Sequence, residues 1–144
     1  MGLDMYLYKD YYIGGRYAKN KDELIEFTVK KGIESFRSFK LGDIDSIRCL
    51  AIQWRKAYAI DRWFGEHCGN EDCTYVGYDQ IRDLYDTVCA VRSDHSKAQE
   101  LLPNNGCYDG WYWEDLEFTY NELSRLIQEM NDEGYFCLYY ERSC

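Results

Sequence analysis

DIDSIRCLAIQWRKAYAIDRWFGE, residues 43–66, is the stretch whose reading decides the fold. Ile47, Leu50, Ala51, Trp54, Ala57, Tyr58 and Phe64 recur at helical spacing. Asp43 and Asp45 are placed to accept hydrogen bonds from the free N–H groups of a helix start, and Gly65 is placed to stop the helix. This predicts one long helix over 43–66. On it Trp54, Tyr58 and Asp61 follow i, i+4, i+7 spacing and share a face, so Asp61 interrupts an apolar stripe. A buried carboxylate is costly unless it is paired. Asp61 therefore has two readings: a contact to a basic group or ligand, or a cap or ion pair to a core arginine. Arg55 and Arg62 fall on another flank, where each either holds an anion, stacks on a ring or forms a solvated salt bridge. Trp63 falls off the apolar stripe and joins the candidate binding residues.

Outward from this stretch, a second helix is predicted over about 79–92, with Ile81, Leu84, Tyr85, Val88 and Val91 as its buried stripe. A short helix within 93–102 is closed by Pro103, and Asn104-Asn105-Gly106 reads as a turn. Asp109 caps a third main helix over about 111–131, with the stripe Trp113, Leu116, Tyr120, Leu123, Ile127 and Met130 and a stop at Gly134. Residues 3–9 alternate, Leu3, Met5 and Leu7 against Asp4, Tyr6 and Tyr8, and read as a half-buried strand. Residues 73–76 and 135–141 read as further strands, and Gly14-Gly15 as a turn. The stretch 19–39 is the least legible: 23–30 fits a strand or a short helix, and Phe36 and Phe39 point to inward packing. The expectation is a single α+β domain over 1–144, a small mixed or antiparallel sheet with the first and last strands paired, packed against about three main helices.

Composition narrows the function classes. Aromatics make up 17% of 144 residues and only one proline is present, which excludes extensive disorder and proline-stiffened linkers. The formal charge of −9 repels nucleic-acid phosphates, so direct nucleic-acid binding is disfavoured; the charge is compatible with a basic protein partner, with imitation of nucleic-acid charge, or with solubility alone. No run approaches the roughly 18 apolar residues of a membrane span. The start is interrupted by Asp4, Lys9 and Asp10, unlike an export signal, and the seven cysteines are read as reduced thiols in a cytoplasm.

The second cluster of interest is Tyr108-Asp109-Gly110-Trp111-Tyr112-Trp113-Glu114-Asp115, at a loop-to-helix junction. Tyr and Trp combine an apolar body with a polar tip and suit partner hot spots or stacking on flat ligands. Trp113 fits the core stripe. Trp111 points elsewhere, either into a contact with the first helix or into solvent. The acidic residues Asp109, Glu114, Asp115 and Glu117 form a paired-carboxylate site or simply favour the helix dipole. A pocket between the two tryptophan segments is the default ligand site. His67, Cys68 and Cys73 have metal-ligand character, with Cys107 as a fold-assembled fourth ligand, but no second pair accompanies them. Otherwise they are free loop thiols, and no cofactor is implied. No Gly-x-Ser-x-Gly elbow, phosphate loop or His-Glu-x-x-His motif is present, so no catalytic residue is assigned.

Three blocks carry a resemblance: Met1-Gly2-Leu3-Asp4-Met5-Tyr6-Leu7; Trp54-Arg55-Lys56-Ala57 with Ile60 and Trp63-Phe64; and Leu101-Leu102-Pro103 with Tyr108-Asp109, Trp111-Tyr112 and Asp115-Leu116. Together they resemble a family of small bacteriophage and prophage proteins without assigned function, over most of the chain beyond Lys40. The sequence departs from that pattern at Asp61, where a histidine is typical, and in a shorter loop around Cys107. The resemblance implies a phage accessory protein working in the host cell cytoplasm. On that implication the expected function is a non-enzymatic inhibitor of a host defence component, an anti-CRISPR or similar anti-defence protein, whose partner has a basic surface. The alternatives are a small-molecule binder that sequesters a nucleotide immune signal and a small enzyme with a dispersed site; a homodimer is admitted. The binding residues expected are Trp54, Arg55, Asp61, Arg62, Trp63, Tyr108, Asp109, Trp111, Glu114 and Asp115.

Overall fold

The computed structural model describes residues 2–13, 19–31, 33–133 and 136–143, with the side chains of all of these except 25–31 and 33–38. Residues 43–66 do not form one helix. Ser46–Arg55 is a strand, β4, and the helix α1 begins only at Tyr58 and runs to His67. Two phases of alternation explain the difference. Ser46, Arg48 and Leu50 are exposed, Ala51 and Ile52 are both buried, and Gln53 and Arg55 are again exposed around buried Trp54. The phase change at Ala51–Ile52 spaces the inward residues Ile47, Ala51 and Trp54 by four and three, which imitates a helix. Pairing with a neighbouring strand decides for the extended form. Trp54, Tyr58 and Asp61 therefore share no helical face. Gly65 does not stop α1 either; the chain leaves the helix at Cys68, followed by Gly69 with φ +140°.

The chain divides into two compact units, residues 10–48 and residues 1–9 with 49–144, with the boundaries inside β1 (Asp4–Tyr12) and β4. The smaller unit contains an antiparallel hairpin of β2 (Leu24–Lys31) and β3 (Ile33–Lys40), in register from Leu24 opposite Lys40 to Lys31 opposite Ile33. This resolves the least legible stretch as β structure, in keeping with its β-branched and aromatic content. Backbone bonds from Leu41 N to Glu23 O and from Gly42 N to Lys21 O, both 2.7 Å, clamp the hairpin base. A Cβ on Gly42 would lie 2.7 Å from Lys21 Cβ, so only glycine fits there. Arg48 pairs bidentately with Asp10 at 2.8 and 3.0 Å. Phe39 is exposed rather than inward. The expected Gly14-Gly15 turn and the side chain of Phe36 lie outside the described residues.

The larger unit is built on an antiparallel sheet of order β4-β1-β6-β5, where β5 is Cys73–Val76 and β6 is Phe136–Ser143. The first and last strands are neighbours, as expected. Leu3, Met5 and Leu7 face inward, and Val76 pairs opposite Leu138 with both buried. The helices α2 (Tyr78–Ser93), α3 (Ala98–Leu101) and α4 (Gly110–Asp132) complete the unit. Helix α2 buries Ile81, Leu84, Val88 and Val91, as its spacing predicts. Helix α4 buries Tyr112, Leu116, Thr119, Leu123, Leu126 and Met130, so the predicted stripe is rotated to one side. Its other flank is half-buried: Tyr120 stacks on Tyr85 of α2 at 5.7 Å, and Trp113 on His95 at 3.9 Å. Gly134, expected to end α4, lies outside the described residues; the helix ends at Asp132.

An aromatic joint ties the sheet to α1 and α4. Phe64 is fully buried, stacks on Tyr140 at 4.1 Å and meets Trp54 and Trp63 edge-on at 5.9 and 5.5 Å. The indole N–H of Trp54 donates to Thr119 Oγ1 at 2.9 Å, satisfying two buried polar groups at once. Trp63, expected off the stripe, is 3% exposed; once α1 starts at Tyr58, Ile60, Trp63 and Phe64 become its inner face. Among the described residues no helix is long and apolar enough to cross a membrane.

Candidate functional site

The site begins at the junction between β4 and α1. Lys56 N donates to Leu3 O at 2.7 Å, which closes the strand pairing. Lys56 itself has φ +57°, a left-handed conformation rare for a long side chain. Ala57, at φ −81° and ψ 70°, makes an inverse γ-turn in which Tyr58 N donates to Lys56 O at 3.0 Å. The reversal carries Arg55, Lys56 and Tyr58 to one side of a cleft.

The facing wall comes from the segment leading into α4. Asn105 and Gly106 both have positive φ, as the centre of a type I′ turn requires, and Cys107 N donates back to Asn104 O at 2.9 Å. Asp109 caps α4, its Oδ1 accepting from Tyr112 N at 3.1 Å. Tyr112 turns inward and its hydroxyl donates to Leu102 O at 2.8 Å, fixing the turn against the helix. With Tyr112 inward, Trp111 is left 75% exposed.

Between these walls lies a cleft of about 1060 Å³. Its size reaches the upper end of the roughly 300–1,000 Å³ typical of small-molecule sites. Trp111, Tyr58 and Phe118, at 75, 54 and 41% exposure, line it. The two non-glycine residues with positive φ among the described residues, Lys56 and Asn105, also line it. Backbone held in sparsely populated regions clusters at binding sites, where the surrounding structure over-determines it.

Several charged groups of the cleft are lightly partnered. Asp115 is half-buried and, among the described residues, has neither hydrogen bond nor ion pair; burial first, then the neighbouring Glu114 and Asp109, push its carboxyl up to about 6. Among the described residues Lys56 has no ion pair, and Arg55 has only Asp4, at 3.8 Å and largely exposed. The arrangement offers aromatic faces for stacking, carboxylates that accept N–H donors, and two cations for an anion.

Five of the ten residues expected from sequence come together here: Arg55, Asp109, Trp111, Glu114 and Asp115. Tyr108 packs edge-on against Tyr112 at 5.0 Å behind the cleft wall. The other four serve the scaffold or another surface. Trp54 and Trp63 belong to the aromatic joint. Asp61 accepts from the Tyr140 hydroxyl at 2.6 Å and pairs with Arg142 at 3.3 Å, its structural reading. Arg62 pairs with Glu66 at 2.8 Å on the helix surface. Lys56, Tyr58, Asn105 and Phe118 also line the cleft and are not among those ten. The Asn-Gly dipeptide at 105–106 is their one legible signal, since it marks a sharp turn.

The cysteine and histidine candidates are placed elsewhere, Cys107 excepted. His67 stacks on Trp63 at 4.2 Å and its Nδ1 donates to Trp63 O at 2.8 Å. Burial pushes the Cys68 thiol up to about 11, which makes it a poor nucleophile and ligand. Cys107 lines the cleft with its Sγ 3.6 Å from Asp109 Oδ2. Among the described residues no three His, Cys, Asp or Glu side chains are grouped to hold a metal ion. Comparison with protein-family models, with curated proteins and with solved structures finds no match to this chain.

Proposed function

We propose that this chain is a non-enzymatic binding protein and that the cleft between the starts of α1 and α4 holds a small molecule with a flat ring. One observation carries this reading: a 1060 Å³ cleft joins an exposed tryptophan to a cation, Lys56, and a carboxylate, Asp115, that have no ion pair among the described residues. Ligand sites have this composition, an apolar and aromatic lining with a few polar groups that fix orientation. In the setting the sequence resemblance implies, such a protein sequesters a host signalling molecule and so counters a defence response.

The test is a titration of 15N-labelled protein with purine nucleosides, followed at the tryptophan indole N–H signals. Trp111 is expected to shift while the buried Trp54 and Trp63 stay in place. A flat response at Trp111 for every nucleoside would remove the cleft as a small-molecule site.

The exposure of Trp111 beside Glu114 also favours a second reading, inhibition by docking onto a basic surface of a host defence protein. Under that reading Trp111→Ala abolishes capture of a partner from defence-expressing cells, and capture weakens with salt. Capture that survives both the substitution and high salt counts against it.

A further inference from the structure

We infer that Arg55 and Lys56 form a phosphate subsite, so that the ligand of the cleft is a nucleotide rather than an uncharged ring compound; this rests on the small-molecule reading above. In an ordinary strand two successive side chains leave on opposite faces. Here the left-handed backbone of Lys56 breaks that rule. A Cβ placed on Gly2 would lie 3.1 Å from Lys56 Cε and 3.7 Å from Arg55 Nε, so both cationic side chains fold over the same backbone position. Two like charges held together repel, and the structure offers them little relief: Arg55 has Asp4 at 3.8 Å, and Lys56 has no ion pair among the described residues. Both line the cleft, with aromatic Tyr58, Trp111 and Phe118. An anion seated between the cations removes the repulsion, and a guanidinium beside an ammonium suits the several oxygens of a phosphate.

The rest of the cleft matches the rest of a nucleotide. Every nucleobase has a π-face that stacks on an aromatic side chain. Asp115 and Glu114, on the α4 wall, accept from base N–H donors, which purines carry and phosphates do not. The net charge of −9 opposes a long polyanion, and so favours a free nucleotide over a nucleic-acid strand.

The experiment is calorimetric titration of the whole chain, at low salt, with guanosine, GMP, adenosine, AMP and inorganic phosphate. At least one monophosphate is expected to bind roughly tenfold or more tighter than its nucleoside, the effect of charge-assisted hydrogen bonds. The double variant Arg55→Gln/Lys56→Asn is expected to erase that ratio and leave nucleoside affinity within about twofold; asparagine is chosen because it tolerates the left-handed backbone. Unchanged nucleoside binding also shows that the variant is folded. Equal affinity for nucleoside and nucleotide, or a ratio that survives the double variant, overturns the phosphate subsite and leaves the small-molecule reading standing. Inorganic phosphate that competes as well as the nucleotide assigns the cations to free phosphate and overturns the nucleotide ligand. Failure of every nucleoside and nucleotide to bind overturns both readings.

Discussion

The two flanks of α1 treat their polar groups in opposite ways. On the flank facing β6 and α4, Trp54 Nε1 has Thr119 and Asp61 has Tyr140 and Arg142, and Arg142 Nε alone of the buried side-chain polar atoms among the described residues has no hydrogen-bond partner. At the start of the helix the reverse holds. Lys56 and Asp115 have no ion pair among the described residues, Trp111 is exposed, and two non-glycine residues adopt positive φ. A satisfied polar network makes a core specific and rigid, whereas accessible charges and rings without protein partners are free to take a ligand. The contrast distinguishes scaffold from site without any reference to a known relative.

Four substitutions test that contrast. The largest effect is expected for Phe64→Ala, which empties the centre of the aromatic joint and costs about 3–5 kcal/mol in denaturant unfolding. A loss under about 1 kcal/mol would mean the joint is not packed as described. Thr119→Val keeps the shape but leaves the Trp54 indole N–H buried without an acceptor, a cost of about 1–3 kcal/mol. No change would show that the bond contributes nothing to the scaffold flank.

Asp115→Asn is expected to act in the opposite direction. The folded-state value of Asp115, about 6, stands above the ordinary 3.8, so the folded chain retains a proton that the unfolded chain loses between those values. Stability from this group therefore falls as pH rises from about 4 to 6, and the penalty is fully present above 6. For a half-buried group, screened by solvent, the gain in Asp115→Asn is on the order of 1 kcal/mol at pH 7. Thermal melts of both proteins should converge below pH 4; a pH-independent difference would place its cause outside this ionisation. The smallest stability change belongs to Trp111→Ala, within about 0.5 kcal/mol because the ring is exposed. Ring-ligand binding should nevertheless be lost, and a marked loss of stability instead would make Trp111 part of the scaffold.

The elements legible in sequence were those with one dominant period and a clear boundary signal. Helix α2 is bounded by Gly77 and Asp94 with an unbroken stripe, and β1 alternates cleanly through Leu3, Met5 and Leu7. Asp109 was recognisable as a cap because an acidic residue before an amphipathic run satisfies the first free N–H groups. Residues 46–55 misled because a phase shift within a strand and a helical stripe give the same spacing of apolar residues. The cleft was legible as a place, between the two tryptophan segments, but half of its chemistry was misassigned. With the start of α1 displaced, Trp63 and Asp61 moved into the scaffold, and Lys56 and Tyr58 took their place at the site.

By itself the sequence determined which segments carry a buried face, where α2 and α4 lie, that the chain is acidic and aromatic, and that the Asn105-Gly106 turn is sharp. These are properties of neighbouring residues, so local spacing and turn chemistry suffice to read them. The tertiary structure decided that 46–55 is extended, that Trp63 is core and Trp111 is not, and that Arg55 and Lys56 converge. The strand depends on β1 and the two cations on Leu3 and Gly2, all distant in the chain, while the tryptophans follow from where α1 starts and from the bond of Tyr112 to Leu102. No local pattern encodes those partners.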